Sequence, residues 1–196
     1  MKKQIRKSVF ETNSSSTHSI CINSKENLVI PEQVAFSTSE EFGWENELHN
    51  DLWTKASYFY LSLVDYIEDK LHADTNHTVK DLPIHEQMKI LLDELKKYEN
   101  MIETWLHEVG VQKVTFYHPS IGISNWTNKE QAYYQQEGYI DHIGETKDFI
   151  RALLEDKDLF YHYLFVPDSC VITGNDNDDM TIDEPETCDV VFYKSN

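Results

Sequence analysis

The sequence predicts an α+β fold: a mixed or antiparallel sheet built from N- and C-terminal strands, with an antiparallel helical pair inserted between them. Three observations carry this. Apolar and polar residues alternate near both ends of the chain, two long stretches between them repeat apolar residues every three or four positions, and Gly (6) and Pro (5) are too scarce for long linkers. With 196 residues, 40% of them hydrophobic, the chain is sized for one α+β domain spanning 1–196, in which 46–109 form a helical-hairpin insertion.

At the N-terminal end, Ile5 and Val9 and then Ile20 and Ile22 alternate with polar residues, which predicts two strands around a loop at 12–18. Short strands are expected at 28–30 and 34–36, separated by Pro31. Leu48, Leu52, Ala56, Phe59, Leu63, Ile67 and Leu71 predict a helix over 46–72. The neighbouring aromatic residues Trp53, Tyr58, Phe59 and Tyr60 are core candidates. A second helix starts near Pro83, whose ring suits a first turn, and ends at Gly110. Its apolar residues Ile84, Met88, Leu91, Leu95, Tyr98, Ile102, Trp105 and Val109 alternate steps of four and three, a heptad seam that predicts packing on the first helix and a homodimer. Beyond it we expect a strand at 111–117, an irregular stretch over 118–145, a helix at 146–155 with Thr146 as its cap, a helix or strand at 159–166, and strands at 171–173 and 190–193.

The net charge of −18 repels nucleic acid and anionic membranes and favours basic partners or cations. No direct nucleic-acid binding is therefore expected. Without an apolar leader or a run long enough to span a bilayer, the expected location is cytoplasmic, away from membranes. Cys21, Cys170 and Cys188 have neither the number nor the spacing of a disulfide framework or a zinc site. The nine histidines form no HExxH-type pattern, and no P-loop, dinucleotide fingerprint or nucleophile elbow is present. Counted from Asn175, the acidic loop half-matches a calcium loop, but Met180 stands where glycine is needed, so no metal site is expected.

Three short polar elements are candidates for a site. In the first, Asn13, Ser14, Ser15, Ser16 and Thr17 precede His18; small hydroxyl and amide side chains favour turns whose backbone N–H groups cradle anions. Residues 1–25 also hold five of the 17 basic residues and a single acid, Glu11. The second is the pair Asp141 and His142, and the third is a turn containing Asn175 and Asp176. The ordinary alternatives are a serine-rich hairpin loop, a surface pair and a solvated acidic turn.

The string FETNSSSTHS at 10–19 resembles the opening of uncharacterised proteins of Gram-positive bacteria and their phages. The basic lead-in before the string and the strand after it recur in that group, residues 139–142 and 173–177 are similar to its later elements, and the matched stretches together cover about a fifth of the chain. The resemblance implies a phage or mobile-element setting. It leads to a first functional expectation: a non-enzymatic acidic binding protein that inhibits or modulates a host nucleic-acid-binding factor, in the manner of anti-CRISPR or anti-restriction proteins, with a basic host protein as partner. The alternative is binding or turnover of a phosphorylated small molecule such as a nucleotide, with Asn13, Ser14, Ser15, Ser16, Thr17, His18, Asp141, His142, Asn175 and Asp176 converging on one site and His18 or His142 as general base. No complete catalytic set and no cofactor can be assigned from the sequence.

Overall fold

The computed structural model describes residues 16–43, 45–73, 79, 82–124, 131–135, 138–141, 146–175 and 189–194, with backbone only for some, among them Ser16, Thr17 and Asn175. In chain order the elements are β1 (Ser16–Ile22), β2 (Gln33–Ser37), β3 (Glu41–Phe42), β4 (Glu47–His49), α1 (Leu52–Ala73), α2 (Ile84–Glu108), β5 (Lys113–Tyr117), β6 (Ser120–Ser124), β7 (Gln131–Gln135), β8 (Tyr139–Ile140), α3 (Lys147–Glu155), α4 (Lys157–Phe165), β9 (Cys170–Asn175) and β10 (Val190–Lys194). The fold is α+β. Its main sheet is antiparallel, with strand order β10-β1-β9-β4, so strands from the two ends of the chain share it and the helices are inserted between strand regions. Parallel pairs β2–β5 and β3–β8 and the antiparallel pair β6–β7 flank it.

The pleat of β1 sorts its side chains. His18, Ile20 and Ile22 face the core together with Val171 and Thr173 of β9, whereas Cys21, Cys170 and Ile172 form a small cluster of their own. The strand begins at Ser16, three residues earlier than its apolar pattern indicates, because the alternation that runs through Ile20 and Ile22 extends back to His18. Cys21 is disulfide-bonded, and Cys170 is buried. The disulfide at Cys21 departs from the expectation drawn from cysteine number and spacing, neither of which registers which thiols a fold brings together.

From Lys55 to Val64 every residue of α1 is buried. A helix buried all round sits inside a fold, and α1 touches β2, α2, α3, α4, β8 and β9. The helical pair is thus inserted in sequence while its first member is enclosed rather than projecting. Phe36 and Phe116 stack at 5.0 Å beneath Tyr60, and Phe59 meets Phe160 edge-on at 5.1 Å. The helix starts at Leu52, not 46: Leu48 lies in β4, where it is 41% exposed opposite Ile172, and its spacing from Leu52 is coincidental.

On α2 the buried residues are Met88, Leu91, Leu95, Glu99, Ile102 and Leu106. A straight helix has 3.6 residues per turn, so its buried stripe drifts off a heptad seam; Tyr98 and Trp105 are only partly buried and Glu99 and Leu106 take the inner positions. The stripe is covered by the chain's own core.

Half-buried carboxylates line the outer side of α1. Asp65 Oδ2 and Glu68 Oε1 are enclosed without a hydrogen-bond partner, near Asp69, which pairs with Lys147. Burial, then the neighbouring carboxylates, pushes Asp65 up to about 6 and Glu68 up to about 7. Because these folded values exceed the unfolded ones, the native state binds protons more tightly between about pH 4 and 7, and stability falls as pH rises through that window. Melting temperatures at pH 5 and 8 should therefore diverge between wild type and Glu68→Gln, the variant gaining about 2–4 °C at pH 8, equivalent to roughly 1 kcal/mol at a solvent-screened site. Parallel pH profiles would contradict this.

Candidate functional site

Of the sequence-predicted residues, Asn13, Ser14, Ser15, His142 and Asp176 lie outside the described residues. Ser16 and Thr17 belong to β1, where their backbones pair with Asn175 and Gly174 of β9, so the first and third polar elements are direct neighbours. His18 is opposite Thr173 and is 1% exposed. Its Nε2 lies 3.0 Å from the carbonyl oxygen of Gly43 and its Nδ1 3.1 Å from the Tyr58 hydroxyl. A carbonyl can only accept, so Nε2–H is the donor there, and in the neutral ring Nδ1 then accepts from Tyr58. Both ring nitrogens therefore serve the core. Thr173 is likewise engaged, its hydroxyl donating to the Glu45 carbonyl at 2.7 Å.

The second element reaches the other two through the strap at 38–45. Gly138 N–H donates to Thr38 O, Tyr139 N–H to Glu40 O, and Asp141 N–H to Phe42 O. A Cβ at position 138 would fall 1.9 Å from the Glu40 carbonyl oxygen, so only glycine permits this approach. The Asp141 backbone, the His18 imidazole and the Thr173 hydroxyl are thus all tied to carbonyls of the strap.

At the start of the same strap is a cavity of about 450 Å³ lined by Ser37, Thr38, Ser39, Trp53, Tyr117, His118 and Ser120. Three local features build it. Ser37 ends β2 and its hydroxyl lies 2.8 Å from that of Ser39 while accepting from the Ser39 backbone N–H, a tight hydroxyl turn. Trp53, in the first turn of α1, donates Nε1–H to Glu40 Oε1 at 2.6 Å, which fixes the indole as one wall. Tyr117, the last residue of β5, and His118 after it add further lining, and Trp53 and Tyr117 remain 41% and 54% exposed.

Behind the cavity is a buried carboxylate. Glu99 Oε1 accepts from the Tyr60 hydroxyl at 2.7 Å and lies 2.7 Å from His118 Nε2, while Lys96 is 3.6 Å from Oε2. Burial works to raise the Glu99 carboxyl, but the hydrogen bonds from His118 and Tyr60 and the charges of His118 and Lys96 together hold it below the usual range. A carboxylate only accepts, so His118 Nε2 carries a proton toward Glu99, and that bond orients the ring. A carboxylate-oriented imidazole beside several hydroxyls can accept or relay a proton and can orient a polar ligand.

No family model, curated protein or solved structure matches this chain. The functional reading therefore rests on the chain's own geometry. Among the described residues, no group of three His, Cys, Asp or Glu side chains is placed to hold a metal ion, and no helix is long and apolar enough to cross a membrane.

Sequence reasoning missed the cavity because 118–145 reads as irregular and Ser37, Thr38 and Ser39 follow the strand expected at 34–36 with no distinguishing pattern of their own. One signal was available: Glu99 occupies the apolar stripe of α2 at helical spacing from Leu95, Ile102 and Leu106. A carboxylate in that stripe needs buried donors, which points to a polar site behind the helix.

Proposed function

We propose that this chain is a binding protein for a small, uncharged, ring-bearing polar ligand, such as a nucleoside or a sugar, held in the cavity between Trp53 and Tyr117. The observation that carries this reading is the pairing of two exposed aromatic walls with a hydroxyl-rich floor and an oriented imidazole in one concavity. Aromatic faces take up a ring, and hydroxyls and an imidazole satisfy its polar edge. Among the described lining residues there is no Lys or Arg, and Glu40 and Glu99 stand close by, which favours an uncharged ligand over the phosphorylated one expected from the serine-rich loop. A panel of nucleosides and monosaccharides, with their phosphorylated counterparts, tests this by ligand-observed NMR. Trp53→Ala should weaken the best binder by about 1–3 kcal/mol, the range for a lost ring-stacking contact. Preference for the phosphorylated members, or equal affinity in wild type and variant, would overturn it.

A second reading keeps the acidic surface as the working part. The charge of −18 supports electrostatic pairing with a basic partner, such as a host nucleic-acid-binding factor in a phage setting. Binding of that kind would weaken steeply with salt and persist in Trp53→Ala.

A further inference from the structure

A second cavity, of about 280 Å³, lies away from the first, between α1 and the end of α4, with Val29, Pro31, Leu52, Phe165 and Pro167 as apolar walls and Asn50 among its lining. Lys55 and Val166 also line it. The Lys55 side chain is 1% exposed, and its Nζ donates to the Val166 carbonyl oxygen at 2.8 Å. No carboxylate among the described residues lies within 4.0 Å of that nitrogen. An ammonium has three donors, and a carbonyl dipole satisfies one of them without neutralising the charge. Buried charges are ordinarily paired or neutralised; here Asp51 and Cys170 favour the ammonium through space, Asp51 from beyond ion-pair distance, and the cation stands beside an apolar concavity.

We propose that Lys55 and this cavity form a binding site for a short-chain apolar monocarboxylate, the carboxylate accepting from Nζ and the aliphatic tail lying on Val29, Leu52 and Phe165. A single cation suits a monoanion. A phosphate dianion would bring more charge than one ammonium offsets, in a chain already at −18. The cavity lies just below the usual 300–1,000 Å³ or so of small-molecule pockets, which sets the ligand at the small end. Burial lowers the Lys55 amine to about 8, so at neutral pH most of it remains ammonium and ready to pair.

The test compares hexanoate with hexanol and hexanamide by isothermal titration calorimetry at pH 7 on the full chain. Wild type should bind hexanoate at least tenfold more tightly than either neutral analogue. Lys55→Met, which removes a buried charge from an apolar site, should fold and lose that preference. Val29→Glu supplies an independent arm: position 29 is 63% exposed, so the fold should be unaffected, while the added negative charge at the wall weakens hexanoate more than it weakens hexanol, which loses only the apolar contact. The proposal is overturned if wild type binds hexanoate and hexanol alike, if it binds neither, or if hexanoate affinity survives both substitutions.

Discussion

Replacing Tyr58 by alanine is expected to destabilise the fold by about 3–5 kcal/mol, the range for removing a buried aromatic side chain. Tyr58 is fully buried, meets Phe42 edge-on at 4.8 Å and Phe149 at 6.0 Å, and its hydroxyl is bonded to His18. It therefore joins α1 to β1, to the strap through β3, and to α3. Truncation leaves a cavity where those elements meet, and the surrounding rings cannot close it without moving backbone. Tyr58→Phe isolates the hydroxyl and should cost only about 0.5–1.5 kcal/mol, the net worth of one neutral hydrogen bond. Chemical denaturation of both variants gives the two values directly. An alanine cost below that of phenylalanine would mean that α1 is not the centre of the core.

Tyr60→Phe should cost about 1.5–3 kcal/mol, more than its Tyr58 counterpart, because the lost bond is to a carboxylate. The variant also takes away one of the interactions holding the Glu99 carboxyl low. A depressed carboxyl contributes stability that is present above its unfolded value and lost as pH falls through the folded one. Tyr60→Phe should therefore shrink the acid-side loss of stability as well as the stability at neutral pH. In the double variant Y60F/E99L the buried charge is gone and leucine continues the apolar stripe of α2, so part of the loss should return. A double variant less stable than Y60F would show that the carboxylate is worth more through His118 and Lys96 than its burial costs.

The legible parts of the fold were those with a strong local period. The second helix and the strands at 34–36 and 190–193 followed from spacing alone, since each buries one face against the core. What escaped detection depended on partners distant in sequence. β3 and β8 are two residues each and exist only because they pair with one another; no periodic signal fits in so short a segment. Leu48 was misassigned because a single residue four places before Leu52 looks helical whatever its partner. At the site, the FETNSSSTHS string drew attention to His18, whose strand position commits its imidazole to Tyr58 and Gly43. The cavity near the strap instead draws on 37–39, 53, 117, 118 and 120, with Glu99 behind it; those residues meet only after α1 and β5 have both packed against β2.

The place of β1 inside the main sheet has a consequence for the order of synthesis. His18 pairs with Thr173 on one side and Lys194 on the other, so a strand translated early has both its described neighbours translated late. At ribosomal rates of about 5–20 residues per second, β1 waits on the order of ten seconds or more before either neighbour emerges. The helices, whose contacts are local, can form in that interval, but the sheet cannot. Its completion waits until β9 and β10 have both emerged, and until then the nascent chain carries a strand with two open edges, a natural substrate for a holding chaperone.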